Sequence, residues 1–309
     1  MTFEKLIGNE QIKQNLINIL SNNTMSHSYM FIGTAGIGKL EFAKEFAKGI
    51  LCSNNKKPCG NCKSCIEFES GNNPEYNEIN LGEESSIKID IIRQLQNSIQ
   101  QLPIISDRKV YIINDSEYMT KEAQNCLLKT LEEPPKFVTI ILIVSNENTI
   151  LNTVKSRCTK LYFKDISENE LKKYIEDNNL DLLNDTKLDI VKIANGSIGK
   201  LIKIYENKDL YIKVNDVFNN IENFDITDVI SKLDVLYKNK EHITEILEYI
   251  NTIFIEKAKQ DYKYIEYISY IEETKKAIKQ NANFDMTIDK LLFNIWDNWK
   301  EVMIWKKLQ

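Results

Sequence analysis

The chain has 309 residues, 42% of them hydrophobic and 28% charged, with a net charge of −5 at pH 7. That length suits two or three domains with ordinary cores, and the acidic balance excludes a wholly basic nucleic-acid coat while leaving room for a local basic face. No apolar run reaches the length of a membrane span and the N-terminus does not read as a signal peptide, so a cytosolic protein is expected.

Residues 3–20 open with a short lead-in and continue as an amphipathic helix, with Ile12, Leu16, Ile19 and Leu20 on one face. An apolar strand, Ser28–Gly33, runs into GTAGIGKL at Gly33–Leu40, and Glu41–Leu51 has a helical pattern. Strand, glycine turn and helix start in that order are the setting of a phosphate-binding P-loop. A cysteine-rich insert occupies 52–65. Tyr76–Leu81 reads as a strand, Ile87–Gln101 as a helix, and Lys109–Asn114 as the nearly continuous apolar strand of a parallel sheet covered on both faces. Thr120 can cap a helix over Lys121–Glu133 that Pro134 and Pro135 stop. Thr139–Ser145 and Thr159–Phe163 complete the strands. Strands alternating with helices predict a doubly wound α/β domain with ligands at the carboxyl ends of its strands.

After Lys164 the pattern turns helical. Ser167, followed by Glu170, is a capping box. A second helix, Thr186–Ala194, ends at Asn195-Gly196, and a third starts at Ile198. All five prolines lie at or before Pro135, and neither glycine nor proline follows Gly199, so the C-terminal part is expected to be all helix. The basic residues are nearly all lysine. Only Arg93, Arg108 and Arg157 offer the planar guanidinium fork.

Four stretches carry chemistry. In the P-loop, Gly33, Gly36, Gly38 and Lys39 supply backbone N–H groups and a cation for phosphates, but Leu40 stands where Ser or Thr would hold magnesium. The strand Lys109–Asn114 ends in IINDSE, with Asn114 where a metal-holding Asp belongs and Asp115 one carbon shorter than a catalytic Glu. Magnesium is therefore not expected, and nucleotide binding is left open. Third, Cys52, Cys59, Cys62 and Cys65 put four thiols within fourteen residues, a set suited to tetrahedral structural zinc. The iron–sulfur spacing that competes with it places the fourth Cys downstream, before Pro. Cys126 and Cys158 are expected to be buried, and His27 and His242 to be structural. Fourth, Ser156-Arg157-Cys158 lies on a loop, where an arginine can reach a phosphate on a neighbouring subunit.

The P-loop, the cysteine insert, AQNCLLKTLEEPP at Ala123–Pro135 and SRC at 156–158 occur in one order, as do FEKLIGNEQIKQNL and HSYMF before them. Over about residues 3–200 the chain resembles the bacterial clamp-loader family of AAA+ proteins. That family has motor subunits, gamma/tau, and a stationary delta prime type. The motors carry GK[ST], an Asp-Glu strand end and an Arg after G-S-x. Here the three places hold Leu40, Asn114-Asp115 and Gly199, so the resemblance is to the stationary type. It implies an AAA+ ATPase-like domain over 1–165, a helical lid over 166–207 and a helical collar over 208–309. Arg157, with Ser156, would act as an arginine finger in trans, without intrinsic ATPase or polymerase activity. It further implies gamma/tau and delta subunits as partners in a hetero-pentameric ring, with the sliding clamp and primed DNA reached through the assembly. Two other readings stand beside it: an active AAA+ motor that tolerates Leu40 and Asn114, and a zinc-dependent DNA-binding protein on a degenerate P-loop fold.

Overall fold

A computed structural model of the chain describes residues 2–55, 57–82, 84–180, 190–221, 224 and 234–307, with side chains from 3 to 296. It divides into two compact units, 1–178 with 194–200, and 179–193 with 201–309.

The first unit is built on five parallel strands: β1 (Ser28–Ile32), β2 (Tyr76–Ile79), β3 (Lys109–Ile113), β4 (Val138–Val144) and β5 (Thr159–Tyr162). Their order is β2-β3-β4-β1-β5. Every residue of β1, β3 and β4 is buried, because these strands have neighbours on both edges and helices on both faces. Side chains alternate between two cores. Tyr29, Phe31, Val110, Ile112, Ile141 and Ile143 pack with helices α1 (Glu10–Asn22) and α2 (Lys39–Leu51). Met30, Ile32, Tyr111, Ile113, Ile140 and Leu142 pack with α4 (Ile89–Ile99) and α5 (Lys121–Glu132) on the other face. Between α2 and β2 stands a short helix, α3 (Lys63–Glu69), and before β5 a single turn, α6 (Asn152–Lys155).

Two helix ends differ from the sequence reading for physical reasons. Ile87 does not join α4. Its N–H donates to Tyr118 O at 2.9 Å and its carbonyl accepts from Thr120 N at 3.1 Å, a bridge with the Met119 segment. Glu133 leaves α5 with φ −126°, as expected for a residue before proline. Thr120 does cap α5, its hydroxyl accepting from Ala123 N at 3.2 Å. The capping box forms at the start of α7 (Glu168–Asp177): Ser167 N donates to Glu170 at 2.9 Å, and Glu170 N donates to the Ser167 hydroxyl at 3.4 Å.

The second unit is helical. It holds α8 (Ile190–Ala194, to Ile193), the larger part of α9 (Ile198–Glu206), α10 (Lys208–Asn219), α11 (Asp234–Lys238), α12 (Ile243–Ala258), α13 (Tyr264–Lys279) and α14 (Phe284–Lys307). The expected helix start at Thr186 lies outside the described residues. Within this unit Tyr211 meets Tyr249 edge to face at 5.2 Å, Phe254 meets Tyr267 at 5.1 Å, and the Tyr249 hydroxyl donates to Asn215 at 2.7 Å. Buried Ile246, Ile250, Ile271 and Ile288 fill the rest.

Candidate functional site

Three sites stand on the first unit. The P-loop leaves β1 at Gly33, whose N–H donates to Val144 O at 3.2 Å. Gly36 and Gly38 then take φ +76° and +92°, a region side chains avoid, and α2 begins at Lys39. The loop is the expected turn. Lys39 is only 5% exposed. Its ammonium donates to Gly33 O at 2.6 Å, Thr34 O at 2.7 Å and the Ser145 hydroxyl at 3.2 Å. The lysine has folded onto its own loop. Leu40, at the metal position, packs against the core.

A second segment closes on the loop. Gly199 N donates to Gly36 O at 2.8 Å and the Ser197 hydroxyl to Ala35 O at 3.1 Å. A Cβ at Gly199 would stand 3.0 Å from the Gly36 Cα, tighter than nearly all Cβ contacts, so a side chain there would push the two segments apart by a few tenths of an ångström. The sequence marks Gly199 as a missing arginine; the structure shows that it also packs closely against Gly36. Thr34 bonds Asp165 beside it.

At the end of β3, Asn114 Nδ2 donates to Asp115 at 3.1 Å and to Asn80 at 3.3 Å, so the amide serves a polar cluster. Asp115 takes φ +50°, and burial raises its carboxyl above the usual range, with the Lys39 charge working the other way. Glu117 is a residue that sequence reasoning missed. One of its oxygens accepts from Ser145 N at 3.2 Å, and its charge acts on Lys39. A carboxylate three positions beyond Asn114 was the available signal.

Burial lowers the pKa of Lys39 to about 8, against the pull of Glu117, Asp115 and Asp165. Unfolded, the amine would stay protonated up to its usual 10.5. Between those values unfolding takes up a proton, so this group's contribution to stability rises with pH across that window. An NMR titration of the Lys39 side chain is expected to show a midpoint near 8, unchanged by added ATP. A midpoint that climbs toward 10.5 on adding ATP would place phosphate in the loop.

Arg157 sits elsewhere. Its backbone N–H donates to Val154 O at 3.1 Å and its carbonyl accepts from the Ser28 hydroxyl at 2.5 Å, which fixes it at the amino end of β1. The Lys39 loop begins past the other end of that strand, roughly 16 Å away at about 3.3 Å per residue. That is more than an arginine side chain spans. The guanidinium donates to Thr153 O at 2.7 Å and pairs with Glu132 at 2.6 Å, and it remains one-third exposed. The Ser156 hydroxyl donates to Thr153 O at 3.1 Å and thereby closes the α6 turn. Sequence reasoning missed Glu132, which reaches Arg157 from the end of α5.

The cysteines do converge. Cys52, Cys59, Cys62 and Cys65 place their sulfurs within 4.8 Å of one another, with Cys52–Cys62 at 3.9 Å and Cys59–Cys65 at 4.0 Å. A tetrahedron with metal–sulfur bonds of about 2.3 Å has edges of about 3.8 Å, so the four thiols fit one metal ion. Backbone groups prepare the sulfurs: Cys62 N donates to Cys59 Sγ at 3.3 Å and Cys65 N to Cys62 Sγ at 3.4 Å. Burial opposes ionisation of Cys62, but the N–H groups of Cys65 and Ser53 outweigh it and leave that thiol at about 6. Burial pushes Cys65 up to about 12. Cys126 and Cys158 lie apart and are half-buried; Cys126 donates to Gln96 at 3.3 Å.

A buried network joins this centre to the loop before β3. Asn73 Nδ2 donates to the carbonyl and hydroxyl of Ser64, both at 3.0 Å, and Ser106 donates to the Ser64 hydroxyl at 3.0 Å. The Glu75 carboxylate, wholly buried, accepts from Ile104 N at 2.7 Å and Ile105 N at 2.9 Å.

Residues 8–167 match the family model described as DNA polymerase III, delta subunit. The chain is similar to the DNA polymerase III subunit tau/gamma of Haemophilus influenzae, 31% identical over 256 residues that make up 80% of this chain and 36% of that protein. It is similar to the gamma subunit of Buchnera aphidicola from Acyrthosiphon pisum, 33% identical over 76% of this chain and 65% of that one. The match spans only 36% of the Haemophilus protein and 27% of the tau subunit of Escherichia coli, so this chain corresponds to about a third of those two relatives. Among solved structures, a DNA polymerase III gamma-subunit-related protein of Thermotoga maritima superposes with a TM-score of 0.56, covering 92% of this chain and 99% of that one, at 15% identity. That likeness establishes the fold.

Proposed function

Because the chain belongs to the DNA polymerase III delta-subunit family of clamp-loader proteins, we propose that it is a delta prime-type stationary subunit. On this reading it hydrolyses no ATP and completes the nucleotide site of a neighbouring gamma/tau subunit. The carrying observation is the position of Arg157. It lies at the amino end of β1, too far from its own Lys39 loop to serve it, yet partly exposed and held in a defined pose. Such an arginine is suited to another chain's phosphates. Docking would exchange Glu132 for the transferring phosphoryl group, whose charge the guanidinium stabilises through two planar donors.

The closed P-loop supports the same reading. Leu40, Asn114 and Gly199 depart from the motor pattern at three separate places, and Lys39 already spends its donors on Gly33, Thr34 and Ser145. The proposal extends to a zinc ion on Cys52, Cys59, Cys62 and Cys65, which closes the insert and leaves no position open for chemistry. It also takes 166–207 as a lid and 208–309 as a collar. Gamma/tau and delta would be the ring partners, with the clamp and primed DNA met through the cytoplasmic assembly.

The test is magnesium-dependent ATP hydrolysis by the purified chain alone, then in the reconstituted assembly with clamp and primed DNA. The chain alone is expected to turn over no ATP above background. Turnover that disappears in Lys39→Ala would make it a motor and overturn the stationary reading.

A further inference from the structure

Three cations converge where the sequence keeps them far apart. Lys57 from the cysteine insert, Arg108 from just before β3 and Lys136 from just before β4 line one cavity of about 580 Å³. It opens at the amino ends of the strands, the end opposite the P-loop. Asp107 is its one carboxylate. Leu51 and the half-buried Phe137 supply an apolar wall.

Several lysines and two of the three arginines of this acidic chain are neutralised locally. Lys13 pairs with Glu10, Lys48 with Glu69, Lys88 with Glu84 and Lys160 with Glu147. Of the three arginines, Arg93 pairs with Asp90 and Arg157 with Glu132. Among the described residues, Lys57, Arg108 and Lys136 form no such pair. Like charges gathered in a concave site with a low-dielectric wall focus the field and concentrate anions there. A half-buried guanidinium presents the two parallel donors that phosphate oxygens accept. The volume lies in the range of sites that take a molecule of nucleotide size. The flanking aromatic ring offers a base a face to stack on.

We infer that this cavity is a phosphate-binding site for a nucleotide unit. Arg108, Lys57 and Lys136 meet the phosphates and Phe137 meets the base. It is separate from the P-loop and independent of the stationary-subunit reading. Two sources carry this chemistry: the backbone of single-stranded DNA, and a free phosphate compound.

The test uses the full chain with two probes, a labelled oligo(dT) of about twenty nucleotides and inorganic pyrophosphate, from about 50 to 200 mM salt. Three proteins are compared: wild type, Arg108→Ala/Lys136→Ala, and Lys39→Ala. The double variant is expected to bind at least about tenfold more weakly and, for oligo(dT), with a salt slope reduced by about two. Lys39→Ala is expected to bind as wild type does. Circular dichroism and thermal unfolding verify that the double variant is folded; Arg108→Lys, retaining charge without the fork, should fall between. Loss of oligo(dT) binding in the double variant supports the DNA source. Loss of pyrophosphate binding alone, with no oligo(dT) binding to wild type, supports the free compound. Neither probe binding to wild type, equal affinities in wild type and double variant, or a loss confined to Lys39→Ala would overturn the site.

Discussion

On the stationary-subunit reading, Arg157→Ala is expected to slow ATP hydrolysis at the gamma/tau site facing this chain by on the order of 10³–10⁵, the contribution of an arginine finger acting in trans. The other sites of the ring should keep their rates, so steady-state turnover falls less than the single site does. Rapid-quench measurement of one turnover resolves the difference. Arg157→Lys should recover only part of the rate, since an ammonium supplies charge without the planar fork. The change should hardly touch folding. The pair with Glu132 lies at the surface with Arg157 one-third exposed, and surface pairs contribute about 0–1 kcal/mol. An assembly that forms normally and fires at the wild-type rate with Arg157→Ala would overturn the finger. Loss of assembly would show the side chain to be interfacial instead, which native mass spectrometry of the ring distinguishes.

On the zinc reading, removing the metal is the second large effect. Purified under non-chelating conditions, the chain is expected to hold one equivalent of zinc, and Cys62→Ser or a strong chelator should release it. Four thiols must lose their protons to bind, and Cys65 is pushed up to about 12. Affinity therefore drops as pH falls, because protons compete with the ion. In small zinc peptides the ion's apparent contribution is about 10–16 kcal/mol. Here the α/β sheet has its own core, so the loss should fall on the insert and on what the insert holds. Ser64, beside Cys65, bonds Asn73 and Ser106, and Glu75 holds the backbone at Ile104 and Ile105. Amide exchange at 104–105 should therefore accelerate on chelation while β3 and β4 stay protected. Stoichiometric iron, no metal at all, or unchanged exchange in the insert would each contradict the zinc reading.

What the sequence disclosed was the part that is local. β1 and its P-loop, the apolar strands, the Thr120 cap and the capping box at Ser167 each depend on residues a few positions apart. Periodicity and cap chemistry report such features directly. The cysteines were legible for the same reason, since four ligands within one short insert need no knowledge of the sheet. What stayed hidden depends on strand order. Gly199 reads as a lost arginine until the fold brings it against Gly36. Glu132 and Arg157 lie on different elements, and nothing in their spacing announces the pair. Lys57, Arg108 and Lys136 look like scattered surface charge along the chain. The amino ends of β3 and β4, set beside the cysteine insert, make them one site.

On the stationary-subunit reading, a lysine that donates to its own loop, beneath a turn where Gly199 packs on Gly36, leaves the first unit indifferent to the ratio of ATP to ADP. A ligand shifts an equilibrium only by preferring one state over another. A loop satisfied from within gives nucleotide little to prefer. On the reading proposed, the ring thus contains one seat whose shape is the same at every stage of the cycle. The neighbour's site always meets its arginine from the same wall, so the direction in which the ring opens is inherited from where this chain sits and owes nothing to what it has bound.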